Sequence, residues 1–138
     1  MISKYKFYHG ALLAEIVDLM ERDVSIGELK EEGRLTCYIL DNKVGMYALH
    51  SSSVTNRWQF QLRVKGALEI KELTARCERV FVCLICGEDG FLSIDIADLV
   101  SPDVTKAHSS GPLGISVKRQ SKEQYSVSIR RISLPKKY

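Results

Sequence analysis

Seven consecutive residues, Val80 to Cys86 (VFVCLIC), are apolar without a single polar interruption. A strand with one wet face alternates apolar and polar side chains, so an unbroken run of this length is expected where both faces are covered, typically by helices above and below a mixed sheet. Gly87-Glu88-Asp89-Gly90 then turns the chain and Phe91 to Ile94 returns as a second strand. This pair anchors the reading of everything around it.

The preceding chain changes period twice. Leu12, Leu13, Ile16, Val17, Leu19 and Met20 recur at helical spacing, predicting a helix over 11–20. Ser25 with Glu28 three residues on forms a capping-box pattern and predicts a short helix through Lys30. From Arg34 the pattern becomes strand-like, giving strands over 34–40 and 44–50 joined by an Asp41-Asn42-Lys43 turn. After a polar loop over 51–56, Trp58, Phe60, Leu62 and Val64 alternate with Arg57, Gln59, Gln61 and Arg63, predicting a strand with one buried and one polar face. Trp58 is assigned to the core face. Gly66 marks the end of that strand, and Leu68, Ile70, Leu73 and Cys77 restore helical spacing. Past Val80–Cys86 and its return strand come a short helix or turn near 95–100 and a loop over 101–113 rich in Ser, Gly and Pro. A hairpin built on Ile115, Val117, Tyr125, Val127 and Ile129 ends the chain.

The expected fold class is therefore α/β (α+β): a single domain over 1–138 with a central mixed β-sheet flanked by helices. Its element order is α-β-β-β-α-β, plus a return strand and a C-terminal β-hairpin, with a core at about 8–100 and a basic hairpin at 114–138. The chain has 138 residues, 45% of them hydrophobic and 27% charged, as befits one folded domain rather than a disordered segment. No stretch has the roughly 18 consecutive apolar residues of a membrane span, and the N-terminus lacks the apolar centre of a signal peptide, so a cytoplasmic location is expected. Cys37, Cys77, Cys83 and Cys86 fit that compartment as buried thiols. Cys83 and Cys86 form C-x-x-C, but on a strand positions three apart face opposite ways, so the two sulfurs do not converge on a metal.

Charge is distributed unevenly. Residues 114–138 hold seven Lys or Arg against one acid, so that end alone carries +6 of a chain whose net charge is +3. A basic segment of this kind suits a polyanion such as DNA or RNA, an acidic protein partner, or simply a solvated face. Arg57, Lys118, Arg119, Arg130 and Arg131 are the candidate nucleic-acid contacts. A homodimer through the terminal hairpin is also compatible with its Val, Ile and Tyr content, although the cations along it oppose close edge pairing.

A helix, three strands, a helix and a buried fourth strand is an order that resembles the core of the PD-(D/E)XK nucleases, the restriction-endonuclease-like fold, over about Ala11 to Cys86. The resemblance implies a metal-dependent site in which two carboxylates hold Mg²⁺ beside a scissile phosphate and a lysine supports the attacking water. On that reading Asp41 matches the first acid, Glu15 matches the acid some members carry on the first helix, and Gln61-Leu62-Arg63 occupies the place of the (D/E)-x-K triplet. The triplet keeps the spacing and the cation but puts an amide where a metal-binding carboxylate belongs. The candidate catalytic set is thus Glu15, Asp41, Gln61 and Arg63, with Glu15 and Asp41 as the Mg²⁺ ligands. The alternative is a non-catalytic module that binds nucleic acid or protein on the same framework. His9, His50 and His108 offer a general base, but there is no G-x-S-x-G elbow to supply a nucleophile.

Overall fold

The computed structural model of the chain describes residues 2–31, 34–53, 55–99, 113–119 and 124–131. Helix α1, Lys4–Met20, buries His9, Leu12 and Ile16, and stops where Glu21 takes a left-handed conformation (φ 52°). Strands β1 (Ile26–Glu31), β2 (Arg34–Leu40) and β3 (Val44–Ser51) form an antiparallel meander, with Ile26 opposite Leu40 and Cys37 opposite Tyr47. Between β2 and β3, Asp41 and Asn42 have φ of 51° and 56°, and Lys43 N–H donates to Leu40 C=O at 2.9 Å. Positive φ at both central residues is the type I′ geometry that matches strand twist, which is why Asp and Asn serve there.

The chain then leaves this sheet. Strand β4 (Arg57–Leu62) and helix α2 (Val64–Arg76) form a crossover to β5 (Arg79–Cys86), which pairs parallel with β3 along its whole length. Strand β6 (Gly90–Asp95) returns antiparallel, and Asp95 Oδ1 accepts the Ala97 N–H at 2.9 Å to start the four-residue α3 (Ile96–Leu99). Strands β7 (Leu113–Lys118) and β8 (Ser126–Arg131) close the order. The result is α+β: a mixed five-stranded sheet ordered β1-β2-β3-β5-β6 and a three-stranded sheet ordered β4-β7-β8.

Strand β5 is buried on both faces, as its unbroken apolar run requires. Val80, Val82, Leu84 and Cys86 enter one core with Trp58, Phe60 and Leu62 of β4, Ile115 and Val117 of β7, and Ile70 and Leu73 of α2. Cys83 and Ile85 enter the other, with Leu12 and Ile16 of α1 and Tyr38, Met46 and Ala48 of the meander. The two cysteines of C-x-x-C therefore sit in different cores on opposite sides of the sheet, and all four cysteines are free thiols. No helix among the described residues is long and apolar enough to cross a membrane.

Three local expectations are corrected. Residues 26–31 are a strand, not a capped helical turn: pairing with β2 and the exchange between Ser25 and Asp41 outweigh the local capping signal. Helix α1 begins at Lys4 rather than at residue 11, and Gly66 lies inside the first turn of α2 rather than at the end of a strand. A Cβ at Gly66 would stand 2.5 Å from the Tyr47 hydroxyl and 2.9 Å from Leu62 Cδ1, so the residue is small because α2 presses its first turn onto β3 and β4. The largest correction concerns β4, which alternates as expected but pairs with β7, not with the meander. Of the loop expected over 101–113, residues 101–112 lie outside the described residues and Leu113 is the first residue of β7; residues 120–123, between the two strands of the last hairpin, also lie outside them.

Candidate nucleic-acid interface

Strands β4 and β7 of the three-stranded sheet have one face in the core and one toward solvent, following the period-two alternation of β4, whereas Val127 and Ile129 of β8, opposite Val117 and Ile115, are exposed. Trp58, Phe60 and Leu62 point inward; Trp58 is 4% exposed and its indole N–H donates to Ser53 C=O at 3.2 Å. Arg57, Gln59 and Gln61 point outward and are exposed. Cross-strand register extends that face: Arg57 stands opposite Lys118, which stands opposite Ser126; Gln59 opposite Ser116 and then Ser128; Gln61 opposite Gly114 and then position 130. No acid occupies any of these positions. Arg57 and Lys118, far apart in sequence, are thus cross-strand neighbours, a like-charge pair that gains nothing from its own proximity.

The other basic candidates separate. Arg119, one residue beyond β7, donates to Asp89 Oδ2 at 2.8 Å and lies 5.0 Å from the centroid of the Tyr125 ring. It ties the terminal hairpin to the turn after β5 instead of joining the outer face. Position 131 is in register with Leu113, itself opposite Leu62, and not with the row of Arg57 and Lys118.

The residues expected to bind metal are not gathered in one place. Asp41 sits in the β2–β3 turn, where Oδ1 accepts the Ser25 N–H at 2.9 Å and Oδ2 accepts from the Arg22 guanidinium at 2.8 Å, while its own N–H donates to Ser25 C=O. The Ser25 N–H, with Arg22 second, holds its carboxyl below the usual carboxylate range. Glu15 lines a cleft at the other end of the sheet, with Ile85, Gly87 and Phe91. Strand β5 runs between these ends: its first residue, Arg79, donates to Lys43 C=O beside the Asp41 turn, and Ile85 lies six residues further on. At about 3.3 Å per residue that is roughly 20 Å. Moreover, the meander is β1-β2-β3, so its third strand is Val44–Ser51, which carries neither an acid nor a lysine, and Gln61-Leu62-Arg63 lies at the end of a strand in the other sheet. Among the described residues no three His, Cys, Asp or Glu side chains are arranged to hold a metal ion.

A second cleft, about 550 Å³, opens where β4 passes into α2 and contains Gln59, Gln61 and Arg63 together with Tyr5, Tyr47, His50, Lys65 and Glu69. The wall formed by β3 has an unusual edge. Pairing between β2 and β3 ends at Cys37 opposite Tyr47, so over Ala48–Ser51 β3 is paired with β5 alone among the described residues. His9, 3% exposed, closes the cleft from α1; its Nδ1 is hydrogen-bonded to the Tyr38 hydroxyl at 2.8 Å and its ring centroid is 6.0 Å from that of His50, which in turn stacks on Tyr8 at 5.0 Å. Glu69 is 9% exposed, accepts a long contact from Cys37 Sγ (3.6 Å), and its charge adds to burial in pushing the Tyr47 phenol up from its ordinary value. The sequence reading passed over Glu69, Lys65 and Tyr5. Glu69 did leave a signal, since it takes the i+3 position in the buried stripe Gly66, Ile70, Leu73, where an apolar residue is expected.

Comparison of the chain with family models, with curated proteins and with solved structures finds no match.

Proposed function

We propose that this chain is a nucleic-acid-binding module that holds a sugar-phosphate backbone against the outer face of the three-stranded sheet. The observation that carries the reading is the acid-free row in which Arg57 and Lys118 stand opposite each other, continued by the Gln and Ser side chains of β4, β7 and β8. Cations give sequence-independent, salt-sensitive affinity, and neutral hydrogen-bonding side chains between them satisfy phosphate and sugar oxygens. The separation of Glu15, Asp41 and Gln61, and the lack of acid or lysine on β3, favour binding over metal-dependent cleavage.

The test is binding to a labelled oligonucleotide as a function of salt. Wild type is expected to bind at low salt with log K falling linearly in log[salt], and Arg57→Glu with Lys118→Glu to weaken binding and flatten the slope by about 1.4 for a single strand, two contacts at about 0.7 each. Undetectable binding at low salt, or an unchanged slope in the folded double variant, overturns the reading. Adding Mg²⁺ or Mn²⁺ to plasmid, linear and RNA substrates is expected to leave them intact. Metal-dependent cutting that disappears in Asp41→Ala would establish the nuclease reading instead.

A further inference from the structure

The three-stranded sheet ends in β8, which pairs with β7 on one side and with no described strand on the other. At the opposite edge of that sheet the apolar row of β4 is already covered, since Trp58, Phe60 and Leu62 are all buried. The row leaves the core at β8: Val117 and Ile115 are 1% exposed, whereas Val127 and Ile129, their register partners, are 38% and 42% exposed. These two side chains form an apolar overhang beside an open hydrogen-bonding edge.

Strand edges that face water are commonly guarded by bulges, prolines or charges. Strand β1 is guarded in this way, with an irregular register between Leu29 and Glu31 and with Glu28, Lys30 and Glu31 along it. Strand β8 keeps an unbroken register against β7 and has no proline, and Ser126–Ile129 carries no charge. Val and Ile also favour extended backbone. Such an edge is built to accept another strand.

Symmetry points to the occupant. A two-fold axis normal to an antiparallel pair passes between a residue and its own copy, so every residue faces one from the same face of the sheet. With the axis at Ser128, Val127 faces Ile129 of the second copy and Ile129 faces its Val127, while position 130, an arginine, faces Ser126. An axis at Val127 would pair Ile129 with Tyr125, one at Ile129 would pair Val127 with the arginine at 131, and one at 130 would set two arginines directly opposite. Ser128 is therefore the centre that gives both apolar residues a β-branched partner and keeps the cations apart.

We propose that two copies of this chain pair antiparallel through β8 about an axis at Ser128, joining their three-stranded sheets into one sheet of six strands. Val127 and Ile129 of both copies cover one another on one face. On the other face the row Arg57, Lys118, Ser126 continues into position 130, Gly114 and Gln61 of the second copy without meeting an acid. The dimer stands whether or not that face binds a nucleic acid.

The experiment is sedimentation of the nucleic-acid-free chain over a concentration series. Wild type is expected to approach twice the 15.6 kDa of one chain as its concentration rises to about 100 μM. Val127→Lys with Ile129→Lys brings four ammonium groups together in the dimer but only adds surface charge to a single chain, so it is expected to sediment as one chain throughout, with native circular dichroism. Cysteine cross-linking reads the register, in a Cys77→Ser background that removes the half-buried native thiol. Ser128→Cys lies about 5 Å from its own copy, within disulfide reach, and is expected to link under mild oxidation. Ser126→Cys lies about 14 Å from its copy, at about 3.4 Å per residue, and is expected to stay unlinked. A wild type that keeps the mass of one chain at about 100 μM overturns the proposal, whether the edge then takes a strand of another protein or none. A dimer that persists in the folded double-lysine variant, or linking at Ser126→Cys in preference to Ser128→Cys, also overturns it; if the double variant does not fold, the cysteine pair decides.

Discussion

Tyr125 donates its phenolic hydrogen to Asp89 Oδ2 at 2.5 Å, joining the start of the last strand to the turn between β5 and β6, and Arg119 donates to the same oxygen at 2.8 Å. This carboxylate is the polar joint between the two sheets: Asp89 belongs to the turn of the five-stranded sheet, and its two donors flank the strands of the other. The Tyr125 ring also packs edge-on against Trp58, with centroids 6.1 Å apart, so the joint and the core meet in one side chain.

The joint has a defined pH window. Tyr125 lowers the Asp89 carboxyl below its ordinary value, with Arg119 adding to the effect, so the stability it contributes is present above the unfolded carboxylate range and is lost as pH falls through the lowered folded value. Burial, followed by the Asp89 hydrogen bond, pushes the Tyr125 phenol up to about 12, so its contribution is intact below about pH 10 and is lost as pH rises through about 12. Tyr125→Phe is expected to remove one late-titrating phenol from the alkaline absorbance titration and to cost about 1 kcal/mol in urea unfolding at neutral pH. An unchanged titration curve would mean that this phenol is not the one held up.

Gly66→Ala is expected to destabilise the fold by about 1–3 kcal/mol despite the better helix propensity of alanine, because the new methyl group meets the Tyr47 hydroxyl and Leu62. Removing the hydroxyl relieves the closest contact, so Gly66→Ala with Tyr47→Phe is expected to be less destabilised than the sum of the single variants in a double-mutant cycle. Strict additivity would place the cost of Gly66→Ala elsewhere.

The C-x-x-C of β5 is expected to behave as two unrelated core thiols. Burial raises the Cys83 thiol to about 11 and the Cys86 thiol to about 12, so neither forms much thiolate near neutral pH. A thiol-specific reagent should modify Cys77, the half-buried one, first, and should reach Cys37, Cys83 and Cys86 only as the protein unfolds. Mild oxidation is expected to leave Cys83 and Cys86 unlinked by mass spectrometry. Rapid native labelling of Cys86 or a Cys83–Cys86 disulfide would contradict the assignment.

Asp41→Ala tests the turn against the active-site reading directly. The variant loses the acceptor of the Ser25 N–H and the partner of Arg22, and it keeps a left-handed residue that alanine tolerates less well. Its thermal midpoint is expected to fall, most clearly above the unfolded carboxylate range, because a lowered folded value stabilises only there; the gap to wild type should close as pH drops below that of the native carboxyl. Oligonucleotide affinity is expected to stay within about twofold of wild type, since Asp41 lies outside both the outer sheet face and its cleft.

How much of this was legible beforehand depended on the range of the interaction. Alternation put Trp58, Phe60 and Leu62 inside and Arg57, Gln59 and Gln61 outside, because it is a property of one strand. The separation of Cys83 from Cys86 followed from the same period. The cleft was not legible, since Tyr5, His50, Gln61 and Glu69 come from four elements whose approach no local pattern encodes; only Glu69, a charge in an apolar stripe, left a trace.

By itself, then, the sequence determined which residues of β4 face the core, that Val80–Cys86 is covered on both sides, and that β7 and β8 pair as a hairpin. Tertiary structure alone decided that 26–31 extends as a strand along β2, that β4 joins β7 rather than β3, and that Arg57 meets Lys118 while Arg119 is drawn to Asp89. Side-chain alternation is set by backbone geometry within a few residues, but the choice of a strand's partner depends on burying apolar surface between segments far apart in the chain.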